Sequence, residues 1–189
     1  SRTQENTIRF DHGTLKAENL NVEAENLISD DNSLYTRSGG VIANSNNNQI
    51  GLDILSNAKI NVASDSSKFN IMTNGSQNYV VNTATNNTGI KYVITSKNDA
   101  GFTGGSAINT KGTIRATNEI NVGENALLSS NNKNKINMHT HFDHWNTLFS
   151  NDINLGNWGV ASVNSTIDVD ELMNNTIKVF TPIENGSFI

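Results

Sequence analysis

At six places along the chain an asparagine is held between two apolar residues: Leu20-Asn21-Val22, Ile60-Asn61-Val62, Phe69-Asn70-Ile71, Ile120-Asn121-Val122, Ile136-Asn137-Met138 and Ile153-Asn154-Leu155. Side chains in a β-strand alternate between two faces, so each triplet sends its apolar pair one way and its asparagine the other. Two copies, Lys59-Ile60-Asn61-Val62 and Lys68-Phe69-Asn70-Ile71, share their leading lysine and fall nine residues apart. Short strands of this kind, divided by Gly, Asn and Ser turns, read as a meandering or solenoidal β architecture.

Composition explains how such strands must associate. The chain holds 34 asparagines among its 189 residues, and only 35% of it is hydrophobic. Average globular chains are roughly 45–50% apolar. Low hydrophobicity alone would suit disorder, but disordered chains are also rich in proline and charge. Here Pro182 is the sole proline and charged residues are 16%. Repetitive β structure fits, since polar ladders line its surface while a thin core follows its axis.

Candidate strands are Ile50–Leu55, Lys59–Ala63, Lys68–Met72, Tyr79–Asn82, Ile90–Thr95, Thr113–Ala116 and Glu119–Val122. Turn clusters separate them, such as Asn74-Gly75-Ser76, Asn86-Asn87-Thr88-Gly89 and Gly101-Phe102-Thr103-Gly104-Gly105. With so few large apolar residues, one chain would fill a β-helix poorly. Three chains around a common axis would share the burden, each giving one face of a triangular prism. The repeat Ala17-Glu18-Asn19-Leu20 and Ala24-Glu25-Asn26-Leu27 has the heptad period, but one heptad cannot sustain a coiled coil, and strands are favoured there too.

After residue 137 the texture changes. Phe142, Trp145, Leu148 and Phe149 follow helical spacing, with Asp143 near the start where an acid suits the helix dipole. Ser165 to Asn175 predicts a second short helix and Thr176–Phe180 a strand. The expected organisation is a β-repeat shaft over 1–137 and a metal-clamp region with a small mixed α+β cap over 138–189.

Charge excludes one class of partner. The net charge is -5 and the 13 basic residues are scattered singly, whereas nucleic-acid binding needs clustered Lys and Arg. With no cysteine, disulfides and thiolate metal sites are excluded. Nothing resembles a signal peptide, and no apolar run approaches the roughly 20 residues that span a bilayer. A start at Ser1 rather than Met fits a fragment of a longer protein.

Three of the four histidines fall within six positions: His139, His141 and His144. In the strand that Ile136-Asn137-Met138 begins, His139 and His141 project from one face. One chain then offers an ion two imidazoles; three chains on an axis offer six, enough for an octahedron. Such a shell suits iron(II), nickel or six-coordinate zinc. The plainer reading is a pair of surface or packed histidines. Asp143–His144 as a catalytic pair is disfavoured because adjacent residues rarely meet, and His12 beside Asp11 reads as polar surface.

Asn137-Met138-His139-Thr140-His141, following β-repeats, resembles the His-x-His signature of phage tail fibres and membrane-piercing tail spikes. In those families three copies clamp an iron or zinc ion on the trimer axis. The repeats over residues 14–137 are also similar to the intertwined triple β-helix of contractile-tail central spikes. The resemblance implies that His139 and His141 are the metal ligands, with one transition-metal ion per homotrimer; His144 has no counterpart in the motif. It further implies a structural, non-enzymatic virion component that meets other tail or baseplate proteins and a host surface glycan or envelope. Piercing spikes usually carry the motif near their C-terminus, whereas 48 residues follow His141 here, as in fibres with a distal head.

Two other classes compete. A polysaccharide-cleaving tailspike would need paired carboxylates; Asp53, Asp65, Asp99, Asp152 and the group Asp168, Asp170 and Glu171 sit in no catalytic motif. A trimeric bacterial surface adhesin would show more regular repeats. The expected fold is thus mostly β: an elongated, intertwined homotrimeric β-helix or β-prism shaft with a small α+β cap.

Overall fold

The computed structural model describes residues 1–18, 20–63, 68–73, 79–99, 101–130, 136–156, 159–181 and 186–188; the Asn74-Gly75-Ser76 turn, Asp65, Trp158 and Pro182 lie outside them. Twelve strands and no helix form the regular structure of the described residues. In order they are β1 (Arg2–Phe10), β2 (Gly13–Ala17), β3 (Asn21–Ser38), β4 (Ala43–Val62), β5 (Phe69–Thr73) and β6 (Tyr79–Asn98). They continue as β7 (Thr103–Val122), β8 (Ala126–Ser130), β9 (Ile136–Asp143), β10 (Thr147–Leu155), β11 (Val160–Val179) and β12 (Gly186–Phe188).

Among the described residues all pairings are parallel, and they build three sheets. The first runs β1-β4-β7-β11 and the second β2-β5-β8. In the third, β3 and β9 flank β6, β10 continues along the β9 side, and β12 lies beyond β9. Parallel strands cannot be joined by a tight hairpin and need a crossover, most often a helix. Here the crossover is itself made of strands. The chain visits the first, second and third sheets in turn, then returns beside its earlier pass. Ile8, Ile60, Ile120 and Ile177 therefore stand in one register row, four circuits of the same path.

The long strands reach 20 residues in β4, β6, β7 and β11, or about 65 Å at ~3.3 Å per residue. The expected strands Ile50–Leu55 and Lys59–Ala63 left Ser56-Asn57-Ala58 between them as a break. It is strand interior instead: Ser56 and Ala58 are fully buried, and Asn26 Nδ2 of β3 donates to Ser56 Oγ at 2.9 Å across the interior.

Two apolar compartments lie between the facing first and third sheets. One contains Ile60, Val62, Ile120 and Val122 opposite Val22, Val81, Ile136 and Met138, closed at its end by Phe69 and Ile71 of β5. The other contains Ile28, Leu52, Ile54, Ile90 and Ile114. Between them runs a polar seam of buried Asn26, Ser56, Thr83, Thr85, Asn87 and Asn118. Thus the scarcity of apolar side chains is met by polar residues inside one chain: Asn26–Ser56 and Thr85–Asn118 are hydrogen-bonded, whereas Thr83 Oγ1 is buried without a partner. Both walls of this interior come from the one chain.

The tail differs from the expected α+β cap: it is all strand among the described residues. Phe142 ends its run in β9 and Phe149 lies in β10, both facing inward, while Leu148 is 49% exposed. Between the two strands His144 takes φ 49°, and His144-Trp145-Asn146 stand opposite the bulged stretch Asn87-Thr88-Gly89 of β6. This break, rather than a helical turn, creates the helix-like spacing of the aromatics. Residues 165–175 lie within β11, paired along their length with β7. The seven-residue repeat is not structural either: its second copy lies in β3, with Ala24 and Asn26 inward and Leu27 57% exposed.

One close approach needs a glycine. Gly112 of β7 stands in register between Leu52 and Val169, and a Cβ there would press into the Leu52 backbone carbonyl.

Candidate metal site

β9 is aligned by its ladder with β6, which sets Ile136 beside Tyr79 and Met138 beside Val81. Ile136 and Met138 are fully buried, so strand alternation turns His139 and His141 to the outer face, as the sequence predicts. Below them in register are Asn82 and Ala84 of β6, then Glu23 and Glu25 of β3. Asn82 Nδ2 donates to Glu23 Oε1 at 3.0 Å, and Asn86 Nδ2 donates to Glu25 Oε1.

His141 is held from two sides. Its Nε2 lies 2.9 Å from Asp143 Oδ2, two residues along the same face. Its backbone carbonyl accepts from Asn118 Nδ2 at 2.6 Å. A carboxylate on one imidazole nitrogen fixes ring orientation and raises the basicity of the other, the usual outer-shell arrangement of a metal-bound histidine. His144, in the break after β9, is not part of this face. Among the described residues no group of three or more His, Cys, Asp or Glu side chains could hold an ion within one chain. The donor set is two imidazoles, with His141 Nδ1 free of Asp143. Imidazole suits iron, nickel or zinc, and two imidazoles alone leave such a shell incomplete.

The carboxylates are dispersed in ladders. Glu119 stands between Lys59 (3.6 Å) and Lys178 (3.4 Å) on the outer face of the first sheet. Burial by itself would raise the Glu119 carboxyl, but a hydrogen bond from Asn121 and the two lysines outweigh it and lower the net value below the ordinary carboxylate range. Asp99 pairs with Arg37 and, at 3.6 Å, with Lys97. Glu171 of β11 accepts from Trp145 Nε1 and Thr147 Oγ1, both at 2.8 Å. The acidic group that sequence reading placed in a helical turn is divided by the strand: Asp168 and Asp170 lie on one face and Glu171 on the other. Tyr92 donates its hydroxyl to Asp30; burial, then that hydrogen bond, push its phenol up to about 12.

Shallow clefts open at several places on the surface. One of about 320 Å³ is lined by Leu34, Ile50, Gly51, Tyr92 and Ile94, where β4 has no strand along its outer edge among the described residues. That edge was not foreseen, because the length of β4 was not legible in the sequence. No protein family, curated protein or solved structure matches the chain.

Proposed function

We propose that this chain is a structural segment of a phage tail fibre or spike, acting in host-cell attachment or envelope penetration without catalysis. What supports the reading is the His139-Thr140-His141 pair on one outer face of a body built from long parallel strands and polar ladders. Parallel ladders about 65 Å long stiffen such a segment along the strands, the property a tail rod needs to transmit contact. In its finer form the assembly is a homotrimeric β-helix or β-prism shaft. Three lateral faces bring three copies of His139 and His141 to an axis around one iron or zinc ion, and Asp143 orients His141. Its partners are other tail or baseplate proteins and a host surface glycan or envelope, and its place is the virion.

The test is mass and metal together. Light scattering is expected to give the mass of three chains, and elemental analysis one transition-metal ion per three, lost in His141→Ala. A metal-free single-chain mass overturns the trimer and its ion; full occupancy in His141→Ala overturns the ligand assignment.

A further inference from the structure

We propose that copies of this chain join end to end by strand exchange, β11 of one copy replacing β1 along the edge of β4 in the next. The joint runs along the stacking direction of the strands. It uses backbone edges and not the lateral faces that a trimer would bring together, so it stands independently of that assembly.

The first observation is a mismatch of lengths. β4 has 20 residues, yet β1 covers only Ile54–Val62 of its outer edge. Ala43–Asp53 has no strand on that side among the described residues. At the other end of the sheet β11 also has 20 residues, paired with β7 along one edge and with nothing along the other among the described residues. β4 and β11 share the same register on β7: Ala43 and Val160 both pair with Thr103, and Val62 and Val179 both pair with Val122. A β11 strand from another copy therefore fits the whole edge of β4 without a slip.

The second observation is chemical equivalence. By register, Asn6-Thr7-Ile8-Arg9-Phe10 of β1 and Asn175-Thr176-Ile177-Lys178-Val179 of β11 hold corresponding places in the sheet. Three residues are identical, a cation matches a cation, and an apolar residue matches an apolar one. β1 is the weaker occupant, with a single paired edge and mostly exposed side chains.

Complementary surfaces identify the partner as a second copy. Val163 and Ile167 are inward positions of β11, yet they are 57% and 48% exposed. Ile167 stands in register with Ile50, which lines the 320 Å³ cleft at the foot of β4 together with Leu34 and Tyr92. The incoming β11 would fill that cleft. β1 of the receiving copy gives up its seat.

The chain has no cysteine, so a disulfide tests the register. Asn47 and Asn164 both pair with Ala107, on opposite sides of β7. Within one chain they are two strand spacings apart, about 9.6 Å, beyond the ~7 Å that a disulfide tolerates. Across the joint they are neighbours at about 4.8 Å. The full chain carrying Asn47→Cys and Asn164→Cys is expected, on mild oxidation, to give a reducible ladder of multimers. Adding a peptide of residues 160–179 shortens it. A single monomer band with free thiols overturns the joint. So does an equal ladder from the out-of-register pair Ala43→Cys and Asn164→Cys. A three-chain mass without a ladder refutes the joint alone, and a ladder built from single chains refutes the trimer alone.

Discussion

Asn118 ties the interior together, and its replacement yields a calculable loss. Its side chain is fully buried in the seam between the apolar compartments. It accepts from Thr85 Oγ1 at 2.7 Å, donates to the His141 carbonyl at 2.6 Å, and donates to Asn175 Oδ1 at 3.0 Å. One residue of the first sheet thus binds two strands of the third and the next strand of its own. Asn118→Ala strands the buried Thr85 hydroxyl and the His141 carbonyl, a loss of roughly 1–3 kcal/mol. Lost packing adds about 1 kcal/mol, so the expected cost is about 2–4 kcal/mol. Asn175 is exposed and regains water at little cost.

The chemistry behind that figure is separable from simple packing. Asn118→Leu keeps the volume, and Thr85→Val removes the facing hydroxyl. Each alone leaves a buried polar group without a partner. Together they remove both ends of the bond, which is close to neutral for that pair. Urea unfolding followed by far-UV circular dichroism is expected to show the double variant losing at least about 1 kcal/mol less than the sum of the single losses. Slopes should be unchanged. Additivity within about 0.5 kcal/mol would refute the claim that the seam is held by this hydrogen bond.

Three further outcomes are expected. Gly112→Ala forces its new Cβ into the Leu52 carbonyl and should cost roughly 1–3 kcal/mol, as overpacking does; an unchanged urea midpoint contradicts that close approach. Absorbance titration should place the Tyr92 phenolate near 12 against an ordinary 10. Because the folded value is raised, the stabilisation is complete below pH 10 and is lost between pH 10 and 12; Tyr92→Phe removes that pH-dependent loss. The Glu119 value is lowered on folding, so its contribution is present above the ordinary 4.5 and lost as pH falls through the lowered folded value. Glu119→Gln should flatten the acid limb of the stability curve, by less than about 1 kcal/mol for such surface pairs.

Strand alternation was the legible part of the sequence. Ile60-Asn61-Val62 and Ile120-Asn121-Val122 lie side by side with their apolar pairs buried, and Asn121 Nδ2 donates to Asn61 Oδ1 at 3.0 Å. Ile136-Asn137-Met138 obeys the same rule and carries His139 and His141 to one face. The length of the strands was hidden because the interior accepts polar residues: Ser56, Thr110 and Asn118 are all fully buried. A reading that equates Ser and Asn with turns breaks the chain at just those points. The circuit was hidden for a related reason. Asn6, Ala58, Asn118 and Asn175 share one register row, yet only the geometry of the sheet relates them. The helix expected after His141 was misread because the left-handed His144 shifts the inward positions by an odd step, so a broken strand resembles a helical face.

Because each strand pairs with one a full circuit away, the fold contains no local nucleus. Among the described residues no hairpin is available to form first, so the earliest of these ladders must close a long loop before any contact offsets the lost entropy. Such topologies fold slowly for their size. Once one circuit is in place, each later pass lies down on a finished edge with both its register and its interior set by the pass before. Unwinding meets the same asymmetry in reverse, since a middle strand such as β7 is held by β4 and β11 together. The winding path therefore makes the molecule slow to begin and slow to lose, giving it a persistence set by rates rather than by the size of its core.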